Sequence, residues 1–166
     1  VVGQGYRTNV TVTVENQGNF TETFNVLLFA NATLIGTVYS VTLNVENATD
    51  IVFPWDTTGF AMGIYTITGN ATRVANETDT ADNSLAGGLV LVGVPGDVTG
   101  LTPKVPDGMC NMRDVGYIVS LFGKTPSSLG WDANADLTGP IARVPDGKID
   151  MRDLAWEVQH FGSTPL

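Results

Sequence analysis

This chain is poor in the side chains that enzymes most often use. Its 166 residues hold one cysteine, Cys110, and one histidine, His160. A lone cysteine excludes an intrachain disulfide. A Ser/His/Asp or Cys/His arrangement would have to use His160, and no serine or cysteine lies in a nucleophile-elbow or protease-cysteine context. His160 instead falls near the end of an apolar-periodic stretch, where a helix C-terminus favours it. Basic residues are scarce as well: 8 Lys and Arg stand against 17 Asp and Glu, for a net charge of −9. Before residue 94 the only basic side chains are Arg7 and Arg73, and the lysines all lie beyond residue 100. So acidic a surface disfavours nucleic acid. There is no apolar run long enough to span a bilayer and no signal peptide. A secreted chain of this sequence would be a mature or partial form.

A duplicated unit fills the last seventy residues. Asp97, Thr99 and Gly100, then Pro106-Asp107-Gly108-Met109-Cys110-Asn111-Met112-Arg113-Asp114, return as Asp136, Thr138 and Gly139, then Pro145-Asp146-Gly147-Lys148-Ile149-Asp150-Met151-Arg152-Asp153. Both copies end on Phe-Gly, at Phe122-Gly123 and Phe161-Gly162, and every matched pair lies 39 residues apart (Asp97 to Asp136, Asp114 to Asp153). The unit gathers carboxylates, a hydroxyl and an amide around a tight Gly turn ahead of a helix. Such a set suits calcium, which takes six to eight oxygens at roughly 2.3–2.6 Å.

In the first copy the expected ligands are Asp97, Thr99, Asp107, the carbonyl of Met109, Asn111 and Asp114. In the second they are Asp136, Thr138, Asp146, the carbonyl of Lys148, Asp150 and Asp153. A plainer reading stands beside this one: Asp-Gly pairs form ordinary turns, and Asp114 or Asp153 could serve a helix N-terminus. The repetition of the whole pattern favours metal, and hard oxygen donors without a Cys/His set favour calcium over zinc. Short helices are expected over Asp114–Phe122 and Asp153–Phe161, with Val115, Ile118, Val119 and Phe122, then Leu154, Val158 and Phe161, on the packed faces and Trp156 beside them. Neither is long enough to stand alone in water, so folding and metal binding are expected to be coupled. Cys110, whose counterpart is Ile149, is expected to be buried and unreactive.

Residues 96–162 resemble the dockerin family, whose two loop–helix repeats each close on Asp. The resemblance implies two Ca2+ ions, helices packed about a pseudo-twofold axis and a cohesin partner. This chain departs from that family in two ways. Each copy carries a six-residue insert, Leu101 to Pro106 and Pro140 to Pro145, and each has Thr where the family prefers Asn or Asp.

The first ninety residues read differently. Asn9–Val14 alternates as N-V-T-V-T-V, and Phe24–Phe29, Val41–Val45, Ile51–Trp55, Ile64–Thr68 and Leu89–Val92 read as further strands. Strands at this spacing with turn signals between them predict an antiparallel β-sandwich. Val12-Thr-Val-Glu-Asn-Gln-Gly-Asn19, Phe53-Pro-Trp55, Gly63-x-Tyr65 and Glu77-Thr-Asp79-Thr-Ala-Asp82-Asn83 together resemble a CARDB-type immunoglobulin-like module of prokaryotic, especially archaeal, surface proteins. Tyr65 in that setting suggests a tyrosine corner. Only Val1-Val2 precede Gly3-Gln4, where the family has a further strand. The expected organisation is therefore a mainly β, immunoglobulin-like sandwich over 1–93, short of its first strand, and a small α dockerin-like calcium module over 96–166. Gly93-Val94-Pro95 joins them as a short, stiff link.

Six Asn-x-Thr acceptors, Asn9, Asn19, Asn31, Asn47, Asn70 and Asn76, all fall in the β module. They suggest a glycosylated extracellular surface. The expected function is non-enzymatic: a calcium-stabilised structural protein of a cell surface or filament, self-associating as a homo-oligomer through strand donation or module contacts. The alternative is an adaptor that docks a cohesin on a scaffold, using Met112-Arg113 and Met151-Arg152 at the helix starts.

Overall fold

In the computed structural model, which describes residues 1–164, the chain divides into two compact units. One comprises Asn9–Trp55 and Tyr65–Val90; the other comprises Val1–Thr8, Asp56–Ile64 and the chain from Leu91 on. Pro165 and Leu166, the end of the expected second module, lie outside the described residues. The elements are β1 (Val2–Gly3), β2 (Arg7–Glu15), β3 (Glu22–Ala30), β4 (Thr33–Leu43), β5 (Ala48–Asp56), β6 (Gly63–Ala71) and β7 (Ser84–Gly93), then α1 (Met112–Ser120) and α2 (Met151–Gln159).

Among the described residues seven strands make two sheets, one ordered β1-β7-β6-β3-β4 and the other β2-β5. Central β3 pairs antiparallel with both β4 and β6. Its sequence buries every second residue, with Phe24, Val26, Leu28 and Ala30 inward. Ile51, Phe53 and Trp55 do the same from β5, and Ile67 from β6. Glycine sets how closely the two sheets approach. A Cβ added at Gly69 on β6 would lie 3.1 Å from Val12 of β2, and one at Gly36 on β4 would lie 3.2 Å from the Phe53 ring of β5. Both contacts cross from one sheet to the other, as face-to-face packing requires. Tyr65 stands edge-on to Trp55 with ring centroids 5.8 Å apart.

Two features differ from the alternation pattern. β4 starts at Thr33, well before the expected Val41, because Asn31 takes a left-handed φ of 51° and turns β3 straight into a hairpin. The front of the chain also forms β1, which runs parallel to the end of β7 through Val2↔Val92 and Gly3↔Gly93.

In the second unit the helices begin two residues earlier than expected. Asn111 and Asp150 are the N-caps, accepting from the backbone N–H groups of Arg113 at 2.9 Å and Arg152 at 2.8 Å. That start fixes which residues face inward. Asp114, Ile118 and Leu121 are buried on α1 and its end, and Asp153 and Glu157 on α2. Val119, Phe122, Val158 and Phe161, expected to pack, are each about half exposed.

The duplicated halves are joined by reciprocal backbone bonds. Cys110 donates to Ser163 O at 3.0 Å and accepts from Gly162 N–H at 2.8 Å; Ile149 donates to Lys124 O at 3.1 Å and accepts from Gly123 N–H at 2.8 Å. Each loop end therefore pairs with the Phe-Gly terminus of the other half. Gly123 and Gly162 sit at φ of 82° and 86°, the left-handed region a helix terminus of this kind requires.

Leu28 is fully buried at the centre of the first unit. Leu28→Ala is expected to lower stability by about 2–5 kcal/mol, read as a reduced denaturant midpoint at unchanged slope.

Candidate functional site

The twelve expected ligand residues lie in two matching loops of the second unit, and four of their carboxylates are deeply buried. Asp97 is 3 % exposed, Asp136 5 %, and Asp114 and Asp153 0 %. Asp114 Oδ1 accepts from the N–H groups of Val98 and Thr99, both at 2.9 Å, and its Oδ2 from Asn111 at 2.8 Å. Asp153 repeats this with Leu137 at 2.7 Å, Thr138 at 3.0 Å and Asp150 at 2.8 Å. Asp97 accepts from Asp107 N at 3.0 Å and Gly108 N at 2.7 Å; Asp136 accepts from Asp146 N at 3.2 Å and Gly147 N at 2.7 Å. Each loop is thus folded around two carboxylates, one at its start and one in the first turn of the helix.

The inserts have their own anchor. Thr99 Oγ1 accepts from Lys104 N–H at 3.0 Å and Thr138 Oγ1 from Arg143 N–H at 2.9 Å. Lys104 and Arg143 both sit at left-handed φ, 67° and 65°. Asp107 and Asp146 tuck against Gly100 and Gly139, where an added Cβ would come within 2.7 and 2.5 Å of their Cβ atoms. Asn111 and Asp150 serve as caps. Asp107, Asp146 and Asp150 also have basic neighbours: Arg113 is 3.9 Å from Asp107, Arg152 is 3.9 Å from Asp146 and 3.1 Å from Asp150, and Lys148 is 3.8 Å from Asp150. The carbonyl of Met109 accepts from Asn111 Nδ2 at 3.3 Å.

Burial raises the carboxyls of Asp97 and Asp153 above the ordinary range. It pushes Asp136 up to about 6, helped by the charges of Asp153 and Asp146. Among the described residues none of Asp97, Asp114, Asp136 and Asp153 has a basic partner within ion-pair distance. The donor set and the uncompensated charge fit a hard divalent cation. Convergence does not: among the described residues no three His, Cys, Asp or Glu side chains form a group that could hold a metal.

Two acidic residues outside the motif are also buried. Asp132 accepts from the Tyr117 hydroxyl at 2.6 Å and caps a single 3-10 turn at Ala133–Ala135. Glu157, 0 % exposed, accepts from the Cys110 thiol at 3.0 Å on Oε1 and has no partner on Oε2 among the described residues. Burial pushes Glu157 up to about 7, with the charges of Asp114 and Asp97 adding to the rise. Sequence reasoning passed over Glu157, although its counterpart 39 residues earlier is Ile118, a visible break in the repeat. Cys110 is buried as its partner Ile149 suggests, and burial raises its thiol. His160 caps α2, with Nδ1 2.8 Å from Trp156 O and its ring 5.3 Å from Trp156; the Trp156 indole N–H donates to the Tyr6 hydroxyl.

No protein-family model matches the chain, and no curated protein matches it. Among solved structures it is similar to a domain assigned to a cell surface protein of Methanosarcina acetivorans, at 33% identity and a TM-score of 0.46, over 55% of this chain and 81% of that one. It is also similar to a CARDB domain from Pyrococcus furiosus solved in complex with di-metal ions, at 24% identity and 0.48, over 55% and 78%. A third likeness is to an N-terminal interface mutant of a type II cohesin–X-dockerin complex from Acetivibrio cellulolyticus, at 18% identity and 0.33, over 95% and 97%. All three TM-scores lie below 0.5, and the fold and the site stand on the geometry above.

Asp153→Ala leaves the buried N–H groups of Leu137 and Thr138 without their acceptor, and its loss is expected to cost about 2–4 kcal/mol and most of the α2 circular dichroism signal. Glu157 carries a second expectation. Its folded carboxyl holds a proton that the unfolded chain releases near pH 4.5, so its contribution to stability falls as pH rises from about 4.5 to about 7. Glu157→Gln should flatten the pH dependence of the melting midpoint across that window and melt higher than the parent at pH 8.

Proposed function

We propose that the chain is a calcium-stabilised structural module of an extracellular surface or filament, with a CARDB-type immunoglobulin-like sandwich over 1–93 and a dockerin-like module over 96–166. The observation that carries this reading is the pair of duplicated loops, each folded around two buried carboxylates that have no basic side chain within ion-pair distance among the described residues. Two Ca2+ ions would be held by Asp97, Thr99, Asp107, the Met109 carbonyl, Asn111 and Asp114, and by Asp136, Thr138, Asp146, the Lys148 carbonyl, Asp150 and Asp153. Bound calcium would supply positive charge at the acidic loops. The chain's own residues set the loop shape: Asp114 and Asp153 gather backbone N–H groups, and the Thr hydroxyls fix the inserts.

An outward-facing, glycosylated sandwich accords with the exposure of Asn9, Asn19, Asn31, Asn47 and Asn76, while Asn70 is half-buried. No described helix is long and apolar enough to cross a membrane. Assembly by strand addition is supported by the second sheet, which has only β2 and β5 and so leaves one edge of each without a described partner. Two-stranded sheets are marginal by themselves, and open edges accept strands. Pro54 lies within β5, where a missing N–H is tolerated at an edge.

The cohesin-adaptor reading is favoured by one observation: Met112 and Met151 are 67 % and 61 % exposed at equivalent helix starts, each followed by an exposed Arg. A specific one-to-one complex with a cohesin would replace the structural reading with this one.

Light scattering with far-UV circular dichroism, in calcium and after chelation, tests the proposal. Chelation is expected to melt the helical signal while the β signal persists, and to dissociate large particles. Unchanged spectra and unchanged size would show that the loops are turns only.

A further inference from the structure

Buried Asp97, Thr99 and Asp114 return unchanged as Asp136, Thr138 and Asp153, and Val98 returns as the equally apolar Leu137, but three further buried positions change character together. Gly96, Cys110 and Glu157 have as counterparts Ala135, Ile149 and Ile118, again 39 residues apart. Ala135, Ile149 and Ile118 are all 0 % exposed and wholly apolar. The first three form one cluster. Glu157 reaches from α2 of the second half to the loop of the first, where its Oε1 lies 3.0 Å from Cys110 Sγ. A Cβ on Gly96 would lie 2.6 Å from Glu157 Oε2 and 2.9 Å from Cys110 Sγ. The acid fits because position 96 has no side chain and position 110 carries a thiol donor. The reciprocal backbone bonds of Cys110 to 162–163 and of Ile149 to 123–124 make the two sites equivalent in the pairing.

We infer that Gly96, Cys110 and Glu157 form a pairing code that lets the two near-identical halves accept each other and reject a second copy of themselves. If α2 met the loop of another second half, Glu157 would face Ala135 and Ile149. No thiol would reach Oε1, and the acid would lie against apolar side chains. An unpaired buried carboxyl is costly, and such a cost rejects a wrong partner. If α1 met the loop of another first half, Ile118 would take away the carboxyl acceptor of the Cys110 thiol and leave it only a main-chain carbonyl, the counterpart of the Glu157 O it meets at 3.7 Å. Only the mixed pairing gives Glu157 Oε1 a thiol donor and the Cys110 thiol a carboxyl acceptor. This inference needs no bound ion and is independent of the calcium reading.

The test uses the full chain. Ile118→Glu with Glu157→Ile moves the acid to the other helix but leaves its surroundings behind, and the melting midpoint is expected to fall sharply. Adding Cys110→Ile, Ala135→Gly and Ile149→Cys completes the transposition, with Gly96 kept because its left-handed φ of 85° disfavours alanine, and is expected to recover most of that fall. A milder variant, Cys110→Ile with Glu157→Ile, makes both sites apolar and leaves Gly96 in its left-handed conformation. It is expected to keep the parent's midpoint or exceed it, and to give larger particles than the parent by light scattering at equal concentration. The code is overturned if the completed transposition recovers nothing, or if the apolar variant matches the parent's particle size.

Discussion

The second unit depends on carboxylates doing work that elsewhere falls to strands or to a hydrophobic core. Asp114 and Asp153 each hold three backbone N–H groups while fully buried, tying the start of a loop to the start of its helix across sixteen residues of chain. Helices of nine residues have little stability of their own. Their geometry is inherited from these hubs and from the crossed backbone bonds at Cys110 and Ile149. The same arrangement buries carboxylates without a basic partner among the described residues, so one interaction provides order and also creates an electrostatic cost that a cation would offset.

The first unit is organised on the opposite basis. Its order comes from apolar alternation along β3 and β5 and from glycine at Gly36 and Gly69, which lets the sheets close on Phe53 and Val12. Polar groups there work at the margins. Asn16, 6 % exposed, donates to the carbonyls of Phe20 and Leu43 and accepts from Gly18 N–H, so a single amide closes the loop after β2.

Strand existence was legible because period-two alternation acts within each strand, and β2, β3, β5, β6 and β7 each contain the run that announced them. The start of β4 was not legible, since it depends on a single left-handed Asn31 rather than on a pattern. The loop residues were legible from duplication alone. Their hydrogen-bond roles were not, because Asp114 as a ligand and Asp114 as a backbone acceptor need the same residue at the same place. Ile118 was legible as buried, but the rest of the inward helical face was not, because an apolar periodicity assumes that buried means apolar, and here Asp114, Asp153 and Glu157 occupy the buried stripe.

The inserts bear on how the unit arose. Both are six residues long, both hang from a threonine hydroxyl, and both place a basic residue at the same left-handed φ. Shared detail of that kind is more simply inherited than acquired twice. The two inserts are in this sense one structure written twice, and each half carries its own threonine anchor.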